Sequence, residues 1–145
     1  MIKLLKLEVK KLISDAKLPT RAHPNDAGLD LYSSEGCVLS PGERRSVKTS
    51  IALSIPDGFA GLIWDKSSVG ARDGIKVLGG VIDAAYRGEI LVGLVNLSSK
   101  DYAIEKGAKI AQLLVQKVEL PEVCEVSELD DTMRGTGGFG STGKT

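Results

Sequence analysis

Histidine and cysteine are almost missing from this chain, with one His and two Cys in 145 residues. His23, Cys37 and Cys124 are widely spaced and form no metal-ligand pattern, which argues against a zinc site. Two distant cysteines also make no disulfide framework, so reduced thiols and a cytoplasmic setting are expected. No apolar run reaches the ~20 residues that a membrane-spanning helix requires. Residues 1–12 mix Lys and Leu without an apolar core or a small-residue cleavage site, so no signal peptide is read there. There is no surplus charge of either sign: Lys+Arg and Asp+Glu both number 19. A nonspecific nucleic-acid binder normally carries a basic excess, so neither nucleic acid nor membrane is an expected partner. Local basic groups can still bind one polyanionic ligand.

Aromatic residues are scarce at 4%, whereas glycine is abundant at 17 residues. Many glycines between alternating apolar runs predict a β protein with tight turns. The length suits one domain. The alternation Leu5, Leu7, Val9 against Lys6, Glu8, Lys10 reads as a strand, with a helix through Ile2, Leu5, Val9 and Leu12 as the alternative. A polar, proline-containing stretch runs from Leu18 to Gly28. After the turn Ser40-Pro41-Gly42-Glu43, Val47, Thr49, Ile51, Leu53 and Ile55 share one strand face, and Ser46, Lys48, Ser50 and Ser54 the other. Pro56-Asp57-Gly58 then predicts a hairpin with a returning strand over Phe59–Trp64. Ser67–Arg72 suits one short helical turn. Ile75–Leu78 and Val81–Asp83 flank Gly79-Gly80 as a hairpin or a kinked strand. The apolar run Glu89–Leu97 predicts a strand buried on both faces. A short strand at Tyr102–Ile104, a turn at Glu105-Lys106-Gly107 and an alternating strand over Lys109–Val118 complete the set. The expected fold is all-β, a distorted jelly-roll barrel or sandwich with one short helical turn. Residues 1–129 form the domain, and residues 130–145, almost without core-forming side chains, form a flexible arm.

That arm contains a false friend. Gly138–Thr145 reads Gly-x-x-x-x-Gly-Lys-Thr, a formal match to the phosphate-binding P-loop. The P-loop needs a strand before it and a helix after it, because the helix start supplies amides to the phosphate; the sequence stops at Thr145. The chemistry of the string survives without the fold. Glycine-rich backbone can wrap an anion, and Arg134 can grip a phosphate with its planar fork.

Five separated segments carry a resemblance together: Ala27-Gly28-Leu29-Asp30-Leu31-Tyr32-Ser33, Asp65-Lys66-Ser67-Ser68-Val69-Gly70, Gly80-Val81-Ile82-Asp83-Ala84-Ala85-Tyr86-Arg87-Gly88, Gly107-Ala108-Lys109-Ile110-Ala111-Gln112-Leu113 and Arg134–Gly143. In this order the chain resembles the trimeric dUTP pyrophosphatases (dUTPases). The resemblance implies a jelly-roll homotrimer with active sites at subunit interfaces, where the arm of one subunit closes a site built by two others. It implies hydrolysis of dUTP to dUMP and pyrophosphate with Mg²⁺ as cofactor, which limits uracil in DNA and supplies dUMP for thymidylate synthesis.

Residue by residue, it makes Asp83 the general base, holding and deprotonating a water aimed at the α-phosphorus. Tyr86 would pack on the deoxyribose and leave no room for a 2′-hydroxyl. Uracil would be read by backbone groups around Gly79, Val81 and Ile82, with Gly79 and Gly80 permitting close approach. Some family members have Asn near position 77, where this chain has Val77. Lys66, Ser67, Ser68, Gly70 and Gln112 would bind the triphosphate. The commoner family pattern is Pro-Arg-Ser where this chain has Asp65-Lys66-Ser67, so a point charge replaces a planar fork. Asp30 would act near the metal through water. From the arm, Arg134 and Ser141 would contact the γ-phosphate and Phe139 would stack on uracil, with Gly138 and Gly140 supplying amides.

Two rivals share the fold. A dCTP deaminase needs a glutamate on the strand after the Asp-containing segment, and the equivalent position is Gly93. A non-catalytic nucleotide sensor has no need of a base, and Asp83 is present.

Overall fold

The computed structural model describes residues 4–145. Among the described residues ten strands form: β1 (Glu8–Lys11), β2 (Leu29–Tyr32), β3 (Cys37–Leu39), β4 (Arg44–Ser54), β5 (Phe59–Trp64), β6 (Ile75–Leu78), β7 (Val81–Ile82), β8 (Glu89–Asn96), β9 (Tyr102–Ile104) and β10 (Lys109–Lys117). Helix among the described residues is confined to one wide turn, Ser68–Arg72, in which the Asp73 amide reaches the Ser68 carbonyl at 3.2 Å. Two four-stranded antiparallel sheets, β1-β4-β8-β6 and β2-β10-β5-β7, enclose the core, and β3-β9 forms a small third sheet. Val47, Leu53, Val92 and Leu94 from the first sheet meet Leu31, Ile63 and Leu113 from the second in one apolar cluster. Each such side chain, fully removed from water, contributes roughly 1.5–3 kcal/mol. This is the expected all-β jelly-roll arrangement. Among the described residues no helix is long and apolar enough to cross a membrane.

Several local expectations are corrected. The first strand is shifted to Glu8–Lys11, because it pairs there with Ile51–Ser54 of β4. The predicted hairpin across Pro56-Asp57-Gly58 does not form. β4 lies in the first sheet and β5 in the second, so this tight turn carries the chain between layers. Gly79-Gly80 does the same for β6 and β7, making the kinked alternative the right one. Both glycines have left-handed backbone, with φ of 73° and 116°. Ser50 breaks the expected alternation of faces along β4. It is buried with φ 53° inside a bulge of β4, where the pairing with β8 skips from Lys48 to Ala52. β8 is not buried on both faces within one chain either: Ile90, Val92, Leu94 and Asn96 point inward, while Leu91 is 47% exposed.

Candidate active site

The second sheet assembles one group of site residues. Gln112 on β10 pairs across to Asp30 on β2 and to Trp64 on β5, giving a row across the sheet. The chain leaves β5 at Asp65 and folds back over this row. Asp30 is 6% exposed and carries two ammonium groups: Lys66 Nζ on Oδ1, and Lys109 Nζ at 3.0 Å from Oδ2. Burial alone would raise the Asp30 pKa, but the hydrogen bonds and charges of Lys66 and Lys109 outweigh it and hold the carboxyl below its ordinary 3.8. In return Asp30 raises the Lys109 pKa.

Asp65 anchors the segment that bears Lys66, Ser67 and Ser68. Its Oδ1 accepts from the Val77 amide at 2.7 Å, and its Oδ2 from Lys76 Nζ at 2.5 Å. Gln112 Nε2 donates to the Asp65 carbonyl at 2.8 Å. Gly70 comes so close that a Cβ there would lie 2.9 Å from Asp65 Cβ. A Cβ on Gly28 would lie 2.1 Å from Gln112 Oε1, so the first motif needs its glycine to seat the glutamine. Ser67 and Ser68 remain exposed at the mouth of the helical turn.

A second group surrounds a depression of about 220 Å³ whose wall includes Ile63, Gly80, Ile82, Asp83, Tyr86 and Glu89. Gly80 presses its backbone onto β5. Its carbonyl accepts from the Ile63 amide at 2.7 Å, and a Cβ would come 2.7 Å from the Ile63 carbonyl oxygen. Only glycine satisfies that contact together with φ 116°. Asp83 opens a turn in which the Tyr86 amide donates to the Asp83 carbonyl at 3.1 Å. Arg87 braces it, Nη1 donating to the Ala84 and Tyr86 carbonyls at 2.5 and 3.0 Å. Tyr86 Oη donates to the Glu89 carbonyl at 2.9 Å. A smaller hollow of about 160 Å³, which shares Gly80 and Val81 with the first, touches Trp64 and Val77.

The arm joins neither group. Residues 132–143 form successive turns whose hydrogen bonds stay within the segment, including Arg134 Nε to the Gly137 carbonyl at 2.7 Å. Phe139 is fully exposed, with φ 50°. No helix follows Gly138, so the P-loop string lacks the structure that gives the P-loop its function.

The dUTPase family profile matches residues 14–143. The chain belongs to the dUTPase family. A deoxyuridine 5′-triphosphate nucleotidohydrolase of Mycolicibacterium vanbaalenii is 50% identical, with 94% of each chain covered. One from Corynebacterium glutamicum is 47% identical over 100% of this chain and 99% of its own. Among solved structures, a mutant Staphylococcus bacteriophage 80alpha dUTPase with dUpNHpp superposes with TM-score 0.91 at 33% identity, over 96% of this chain and 99% of the phage chain. A mutant dUTPase from phage phi11 of S. aureus, described for coordination of a structural Mg(II) ion, superposes with TM-score 0.82 at 30% identity, over 88% and 100%.

In this dUTPase the sequence reading left out several residues that build the two groups. Lys109 lies inside the fourth motif, but it pairs with Tyr32 in the sheet and reaches Asp30 only through its side chain, a contact that the sequence alone does not signal. Asp65 was noted only as a departure from proline, although it ties the second motif to β6. Gly88 is required because a Cβ would meet Tyr86 Oη at 2.4 Å. Glu89 gave no signal of its own.

Proposed function

We propose that the protein hydrolyses dUTP to dUMP and pyrophosphate at sites shared between three copies of the chain. The observation that carries this reading is the meeting of Asp83 and Tyr86 at one depression walled by the backbone of Gly80–Ile82. A nucleoside entering there has its base against fixed N–H and C=O groups around Gly79, Val81 and Ile82. Backbone of fixed polarity distinguishes uracil's O4 acceptor from cytosine's amino donor. The Tyr86 ring closes the sugar side. Asp83 is exposed, which leaves its carboxylate open to the water that this reading assigns to it. In the reaction that water's oxygen bonds to the α-phosphorus, its proton passes to the Asp83 carboxylate, and the bond to the bridging oxygen breaks to release pyrophosphate.

Lys66, Ser67, Ser68, Gly70 and Gln112 serve the phosphates, with Asp30 holding Lys66 in place until substrate arrives. Among the described residues no three His, Cys, Asp or Glu side chains gather into a metal-ligand cluster. Mg²⁺ would be carried by the substrate's phosphates, with Asp30 acting on it through water, because both Asp30 oxygens already hold lysines. Bound in that way, the ion would neutralise charge on the phosphates as pyrophosphate departs.

Sharing between copies is supported by sheet geometry. Ile82, the last residue of β7, pairs with Gly61, so Asp83 follows just past that end, whereas Lys66 lies beyond Trp64 at the opposite end of β5. At ~3.3 Å per residue the two groups of one chain are roughly 10 Å or more apart along the sheet. A homotrimer brings one copy's Asp83 to another's Lys66. Exposed Leu91, Val81 and Trp64 suit such contacts. The arm then closes the site, Arg134 and Ser141 on the γ-phosphate, Phe139 over uracil, and Gly138 and Gly140 lending backbone. The deaminase reading loses ground, because a Cβ at Gly93 would lie 2.9 Å from the Leu78 carbonyl oxygen and no glutamate fits.

The Asp83→Ala variant tests the assignment. It is expected to bind a non-hydrolysable dUTP analogue like wild type and to lose turnover by 10²-fold or more. Undiminished turnover would remove Asp83 from the role of base.

A further inference from the structure

The bulge in β4 faces Glu89–Leu91 of β8, residues that line the nucleoside depression, and its hydrogen bonds lead to Tyr86. Between the pairs Lys48↔Leu91 and Ala52↔Glu89, three residues of β4 face only Ile90, so the regular ladder is interrupted. Side chains fill the gap. Thr49 Oγ1 donates to the Ile90 carbonyl at 2.6 Å, and the Ser50 amide donates to Glu89 Oε2 at 3.3 Å. Ser50 holds φ 53°, a conformation unfavourable for a residue with a Cβ, and its hydroxyl bonds Ser34 Oγ at 2.7 Å. The Ser50 carbonyl accepts from the Leu12 amide at 2.8 Å, so both its backbone groups are engaged.

Glu89 is the first residue of β8 and so has ladder support on one side only. Its side chain ties it to the bulge, and its backbone carbonyl receives the Tyr86 hydroxyl. The Tyr86 ring meanwhile lies over Gly88, in space that a Cβ would occupy. The ring is thus fixed from below by an absent side chain and at its tip by a carbonyl whose own position depends on a carboxylate.

We propose that Glu89 is a specificity-positioning residue: through its carboxylate on the β4 bulge it fixes the Tyr86 ring as the wall that separates deoxyribose from ribose. This rests on the reading of Tyr86 as the sugar wall. Glu89 itself takes no proton in the reaction and touches no phosphate. Its removal should therefore change the choice of sugar more than the rate on the right one.

The test compares kcat/KM for dUTP and UTP in wild type, Glu89→Ala and Glu89→Gln. Glu89→Ala is expected to lower the dUTP-over-UTP preference about five- to tenfold, the effect of one lost anchoring hydrogen bond, mainly by raising UTP turnover. Glu89→Gln, whose amide oxygen still accepts from Ser50, is expected to restore most of the preference. If Glu89→Ala folds poorly, adding Ser50→Gly lets the bulge adopt its backbone without the carboxylate. The double variant is then expected to fold and still discriminate poorly. Unchanged sugar preference in folded Glu89→Ala, or in the double variant, would overturn this inference while leaving dUTP hydrolysis intact. A wild-type protein without dUTP turnover would overturn the underlying reading and this inference with it.

Discussion

At the scale of single residues, charge pairing around Asp30 sets a measurable pH dependence. A carboxyl whose folded pKa is lowered contributes stability above its unfolded pKa and loses it as pH falls through the folded value. Asp30 starts from an ordinary 3.8 and is lowered by its two lysines. Wild type should therefore melt above Asp30→Asn by a constant margin from neutral pH down to about 4, with the gap closing only in more acid solution. A margin already vanishing near pH 6 would mean that another group carries it; melting curves across pH decide. The sequence marked Asp83, Tyr86, Gly80 and Lys66 by motif, and for Gly80 the structure supplies a physical need in its positive φ and its contact with Ile63. Lys109 and Glu89 were not legible, since a lysine or glutamate on a strand reads as a solvated face until its cross-strand partner is known.

At the scale of elements, the second motif depends on one carboxylate. Asp65 holds the Val77 amide and Lys76, and its carbonyl holds Gln112. Replacing Asp65 with Ala leaves a part-buried amide unpaired, which costs about 1–3 kcal/mol. A lower urea midpoint is expected together with a raised KM for dUTP, because Lys66–Ser68 lose their seat. An unchanged KM would mean that the segment is held by other contacts. The predicted strands are all present, the first one shifted, but β2 and β3 were not read from the sequence, being short and without a clear alternation. Pairing was not readable. A Pro-Asp-Gly turn looks the same whether it closes a hairpin or passes the chain to another layer, and only the packing of β5 between β10 and β7 decides. The bulge at Ser50 was hidden for a similar reason: serine fits an exposed face by composition, and its burial follows from Glu89 and Ser34.

At the scale of the whole molecule, one chain holds its site residues in three places: the Asp30 row, the Tyr86 depression and the unattached arm. Deletion of residues 134–145 should leave the melting temperature unchanged, because among the described residues the arm's hydrogen bonds stay within the arm and its own first turn. It should lower dUTP turnover about a hundredfold or more through lost closure and alignment. Near-full activity of the shortened chain would contradict a closing role.

The most direct measurement presents the purified protein with Mg²⁺ and each deoxynucleoside triphosphate in turn, plus UTP, and resolves the products by chromatography. The account predicts dUMP and pyrophosphate from dUTP and negligible product from dCTP, dTTP and UTP. Deamination of dCTP, or no turnover of any of them, would contradict it.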